Sequence, residues 1–132
     1  MIDPREPLAS CFLLVSCAFF AVVYGLPLVF APLRWARWFR WTLPDGRPDL
    51  TVYFGRCTGL LALTIIVTVA PAIRDPRGHR AAFELIAWAC GFMTLLHVWG
   101  AVRRIQPWTE HAEIVLYGAV CAAAIAFRVH LA

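Results

Sequence analysis

The chain has 132 residues, of which 61% are hydrophobic and only 15% charged. A water-soluble domain of this size has too little interior to hide so much apolar surface, so the excess must face lipid. The formal net charge of +4 rests on arginines alone, which sit at the ends of apolar runs and form no basic block of the nucleic-acid kind.

Four apolar runs each approach the roughly 20 residues that a helix needs to cross hydrocarbon. The first covers residues 8–30, with Pro4 and Pro7 before it and Pro27 and Pro32 at its end. Pro27 lacks an N–H and is expected to kink or end the helix. Asp3, Arg5 and Glu6 stand where a cleaved leader would carry a basic segment, so this run is expected to remain as a span.

The connection that follows, residues 31–51, is the longest. On a helix, Arg34, Arg37 and Arg40 share one arc, while Trp35, Trp38 and Phe39 fill the next and Trp41 lies at the boundary. This pattern predicts a short helix lying in the membrane interface, with rings in the acyl boundary and guanidinium groups among phosphates. A docking surface for a partner is the alternative use of the same residues.

The second run covers residues 52–73, with Asp49 or Thr51 as candidate caps and Pro71 near its end. Arg74-Asp75-Pro76-Arg77-Gly78 is a strong turn signal before the third run, residues 82–102. Gln106-Pro107 precedes the fourth, residues 110–131, with Thr109 as its expected N-cap. Backbone groups cannot stay unpaired in hydrocarbon, and the ten-residue alternation of a membrane barrel is missing. The expected fold is therefore all-α: one domain, residues 1–132, forming an antiparallel four-helix transmembrane bundle with an interfacial helix after the first span.

Small residues recur at helical spacing: Ala21 and Gly25, Gly55 and Gly59, Ala87 and Gly91, then Gly118, Ala122 and Ala126. Such stripes let helix backbones approach closely in lipid, either within one bundle or between copies. The five cysteines lie in apolar runs without a CxxC and read as small hydrophobes. Four spans put both termini on one side. Arg34, Arg37, Arg40, Arg47, Arg56, Arg103 and Arg104 then fall on the other, against Arg5, Arg74, Arg77, Arg80 and Arg128. The positive-inside rule makes the side of residues 31–51 cytoplasmic.

Ionisable groups inside a span are functional candidates by default. Glu84, a turn inside the third span, reads as a carboxylate at a helix N-terminus paired with arginine. At the opposite end Arg56, His97 and Glu113 come to similar depth, with Tyr117 close by and Tyr53 and Trp99 able to frame them. His111 is a further candidate. A site of Arg56, His97, Glu113 and Tyr117 would hold the head of a quinone or lipid, bind a metal through His97, or form a closed ion-pair network. Metal is not expected: His111 and Glu113, two apart, point in different directions, and Glu110 with Glu113 reads as ordinary first-turn acids. For haem only His97 is well placed as an axial ligand, and a bis-histidine site would need a second at matching depth, for which only His111 is on hand, so haem is not expected either.

No GxSxG, HExxH, P-loop or GxGxxG occurs. The expectation is a non-catalytic accessory subunit surrounded by membrane lipids and working with other subunits or copies of itself. The alternative is a membrane enzyme or carrier with a lipophilic ligand at Arg56, His97 and Glu113. In length, span number and a glycine-bearing second span, Tyr53-Phe54-Gly55-Arg56-Cys57-Thr58-Gly59-Leu60-Leu61, the chain resembles the DoxX-like group of small bacterial membrane proteins. The resemblance implies the bacterial inner membrane and a helper role in a membrane redox system, sometimes linked to quinone. It carries no functional residue across.

Overall fold

The computed structural model describes residues 2–43, 45–46 and 48–132. Arg47, counted above among the arginines of the first connection, lies outside them. Among the described residues there are five helices: α1 (Pro7–Phe30), α2 (Pro32–Trp38), α3 (Asp49–Ile73), α4 (Ala81–Arg103) and α5 (Glu110–His130). The four long ones are apolar and long enough to cross a membrane, and they match the four runs to within a few residues. The short α2 follows the first span, as the arginine and tryptophan pattern predicts.

The local reason for the shape of α1 is Pro27. Residues Ala21–Gly25 form one π-helical turn just before it, and the helix resumes through Phe30. Proline has no N–H to give the carbonyl four residues back, that of Val23. The indole Nε1 of Trp35 donates to that carbonyl instead, at 2.8 Å. The bond folds α2 back against α1. Trp35 also stacks on Phe39, with ring centroids 4.4 Å apart, and packs on Tyr24. Helix α2 then ends with Arg40 in the left-handed region, φ 61°, and the Trp41 N–H bonded to the Ala36 carbonyl. This six-to-one closure sends the chain back toward the bundle.

The bundle is two unlike helix pairs. In the first, α1 and α3 meet backbone to backbone. A Cβ on Gly59 would lie 2.8 Å from both the Gly25 carbonyl oxygen and the Val29 nitrogen, and one on Gly55 would lie 2.6 Å from the Pro32 Cβ. The Gly55–Gly59 motif is therefore used inside one chain. In the second pair, α4 and α5 pack along their whole length, with Gly91 and Gly118 in ordinary contact distance of Cys121 and Thr94; Ala122 is exposed. Large rings join the pairs: Phe12 against Phe83 and Phe127, and Phe20 and Tyr24 against Tyr117.

Two expected caps are absent. Asp49 and Thr51 make no capping bond at the start of α3. The Thr109 hydroxyl does not cap α5 either but donates to the Phe39 carbonyl at 2.6 Å, tying the end of α2 to the start of α5.

The glycine contacts carry a prediction. Gly59→Ala forces a methyl against backbone and is expected to cost ~1–3 kcal/mol. Gly118→Ala meets nothing closer than 3.9 Å and is expected to be neutral or stabilising, by up to ~1 kcal/mol. Reversible unfolding in detergent measures both, and equal effects would contradict the packing described.

Candidate functional site

Three ionisable side chains converge where α4 ends and α5 begins. On α4, Cys90, Met93 and His97 follow one another at helical spacing and face inward; on α5, Glu110, Glu113 and Tyr117 do the same. The turn between the helices makes the two stripes face each other. Arg104 adopts the left-handed conformation there, φ 54°, with the Ile105 N–H on the Gly100 carbonyl. Gln106 folds over Gly100, which has no side chain to obstruct it, and its amide donates to the His97 carbonyl at 3.0 Å.

His97 Nε2 lies 3.0 Å from Glu110 Oε2 and 3.1 Å from Glu113 Oε2. The other ring nitrogen, Nδ1, lies 2.7 Å from the Met93 carbonyl, an acceptor only, so Nδ1 carries a proton. Trp41 Nε1 donates to Glu110 Oε1 at 2.9 Å. Glu113 Oε1 is buried and has no hydrogen-bond partner among the described residues. Exposure of the three residues is 5%, 3% and 5% for His97, Glu110 and Glu113. The Tyr117 ring packs on that of His97, centroids 5.3 Å apart, and Tyr24 packs on Tyr117. The positive end of the α5 dipole favours both carboxylates in its first turn.

The cluster heads a cleft of about 510 Å³. Spans α3 and α4 scarcely touch, and the space between them is walled by Leu61, Ala62 and Ile65 on one side and Ala89, Met93 and Leu96 on the other. Phe20 and Tyr24 from α1 and Tyr117 from α5 close its back. Nearly the whole wall is apolar, and the carboxylates, imidazole and indole gather at one end.

Of the residues singled out from sequence, His97, Glu113 and Tyr117 come together. Arg56 does not join them. At 100° per residue it stands ~160° around α3 from Thr58, which lines the cleft, and it is exposed on the far face. His111 is exposed too, one position off the Glu110–Glu113–Tyr117 stripe, and Tyr53 and Trp99 face outward. Glu110, Trp41 and Tyr24 complete the cluster without having been singled out for it. The i, i+3, i+7 stripe of Glu110, Glu113 and Tyr117 is the signal that identifies the first of them.

The belt residues divide. Arg34, Arg37, Trp38 and Arg40 are exposed, with the Arg34 guanidinium 6.0 Å from the Trp38 ring centre and that of Arg40 5.5 Å from the Trp108 ring centre. Trp35 and Trp41 turn inward and spend their N–H groups on Val23 and Glu110.

The opposite end carries a second, more exposed network. Arg5 pairs with Asp3 at 2.9 Å, Arg77 donates to Glu6 at 2.7 Å, and His130 reaches Glu6 at 3.3 Å. Glu84 pairs with Arg128 of α5, not with the nearby arginines of its own turn. These contacts tie the N-terminal residues to the second connection and to the end of α5.

Four helices able to cross a bilayer make the chain a small integral membrane protein with a polar site at one end of an apolar cleft. No family model, curated protein or solved structure matches the chain.

The terminal network sets a pH dependence. The hydrogen bonds from Arg77 hold the Glu6 carboxyl below its usual range, and those from Arg5 do the same for Asp3. A lowered folded-state value means stabilisation that is complete above the ordinary carboxylate range and is lost as pH falls through the folded value. Melting temperature in detergent is expected to decline below about pH 5, and less steeply in Glu6→Gln. Parallel declines would show that Glu6 contributes nothing to it.

Proposed function

We propose that this membrane protein binds one amphipathic membrane molecule, of the quinone or lipid class, with its tail in the α3–α4 cleft and its head at His97, Glu110 and Glu113. The observation that carries this reading is the shape and polarity of the cleft: an apolar groove between two spans ending in three buried ionisable groups. Binding sites for lipophilic ligands have this composition, mostly apolar with a few convergent polar groups at one end. A closed ion-pair network would use its acceptors up, whereas one Glu113 oxygen has no hydrogen-bond partner among the described residues.

The role that follows is a holding or delivery function within the bilayer, as an accessory to membrane proteins that act on the bound molecule. The resemblance to the DoxX-like group implies a helper role in a membrane redox system, sometimes linked to quinone, and is compatible with this reading.

The test is extraction of lipophilic contents after purification in mild detergent. Wild type is expected to retain one species in stoichiometric amount, seen by native mass spectrometry. Ala62→Trp, which fills the cleft at a distance from the polar cluster, is expected to fold and to lose it. If wild type and variant carry the same mixture of bulk lipids, the reading fails.

A further inference from the structure

We propose that His97, Glu110 and Glu113 form a binding site for a divalent first-row transition cation. The inference stands on the three side chains themselves and does not depend on what fills the cleft.

Three observations carry it. The first is the arrangement of donor atoms. Nε2 of His97 and one oxygen from each carboxylate all lie within 4.8 Å of one another, and the two contacts of Nε2 are 3.0 and 3.1 Å. Ligand atoms bound ~2.1 Å from one ion at right angles stand ~3 Å apart, so the group has the dimensions of a set of neighbouring ligands.

The second is the way the ligands are held from behind. A metal-binding imidazole usually gives its other N–H to a carbonyl or carboxylate, and ligating carboxylates are hydrogen-bonded in turn. Here the Met93 carbonyl takes Nδ1–H, which directs the Nε2 side of the ring at the carboxylates. The Trp41 indole holds Glu110 Oε1, leaving Oε2 toward the centre. Each bond orients a donor atom and uses none of its inward-facing capacity.

The third is charge. The two carboxylates share a single imidazole nitrogen, and no arginine pairs with either of them among the described residues. Buried charge of that kind is costly unless it is paired. A dication supplies a partner for both, Glu113 included, whose Oε1 has no hydrogen-bond partner among the described residues. Nitrogen and oxygen donors without thiolate suit ions such as Mn²⁺, Fe²⁺ or Zn²⁺.

The experiment uses the full chain in detergent, stripped with a chelator and then dialysed against Zn²⁺ or Co²⁺. Elemental analysis is expected to find one Zn²⁺ per chain, and added Zn²⁺ to raise the melting temperature. The Co²⁺ form is expected to show visible bands without intense thiolate charge transfer, which separates this site from the cysteines. Glu113→Gln keeps shape and removes a ligand charge; it is expected to melt as the stripped wild type does and to take up no Zn²⁺. Trp41→Phe, which touches no ion, is expected to weaken binding by ~10–100-fold, and exposed His111→Ala to leave it unchanged. A folded, stripped wild type that takes up no Zn²⁺ overturns the proposal. So does a Glu113→Gln protein that still binds one equivalent, or a thiolate signature in the Co²⁺ spectrum. The two readouts are separate: a failure to bind Zn²⁺ leaves the cleft reading standing, and a cleft that retains no lipophilic molecule leaves this one standing.

Discussion

In hydrocarbon a backbone carbonyl without a partner costs several kcal/mol, and Pro27 creates one at Val23. The indole of Trp35 meets that demand at 2.8 Å. Much of the site end follows from this single bond. It lays α2 against α1, and the left-handed turn at Arg40 then returns the chain so that Trp41 reaches Glu110. The π-helical turn just before the proline sets the register in which Tyr24 faces Tyr117. Single π turns inside long helices are frequently found at functional sites, and this one contains Tyr24, whose ring packs on Tyr117 beside the buried cluster.

The cleft is a by-product of how the two helix pairs are joined. Glycine lets α1 and α3 touch at the backbone, while rings several ångströms deep hold α1 away from α4 and α5. One side of the bundle is thus propped open and the other drawn tight. On the propped side α3 and α4 scarcely touch, and the cleft lies between them. The same geometry puts the ionisable cluster at the end of that gap and not at the bundle axis.

The fold was legible because the bilayer restricts it: four apolar runs of spanning length admit one kind of answer, and the run limits differ from the helix ends by few residues. Within the site, His97, Glu113 and Tyr117 were legible from depth, which is counted directly along a helix. Arg56 shows where that arithmetic stops. Depth says nothing about azimuth, and the azimuth of α3 is decided by Gly59 turning toward α1 and Gly55 toward Pro32 of α2, which carries Arg56 to the outside. Glu110 was hidden by being ordinary, since acids in a first helical turn are common. His97 was placed with Glu113 by depth, and His111, which two-residue spacing sets apart from Glu113, is exposed. Trp41 and Tyr24 depend on a folded-back chain and a shifted helical register, neither of which has a local sequence period.

The short link between α4 and α5 has a consequence for how the chain enters a membrane at all. A charged residue at the middle of a lone helix adds ~2.5–3.5 kcal/mol to its insertion, and less near the ends. Inserted separately, α4 would bring a histidine and α5 two carboxylates with nothing to neutralise them. Residues 104–109 are too few to keep the helices apart, and Gln106 already binds back onto α4 across the link. The two spans are thus expected to partition as a hairpin, with His97 already beside both carboxylates as they enter lipid. Biogenesis and the finished site draw on the same contacts, and a longer link would tax the first before it altered the second.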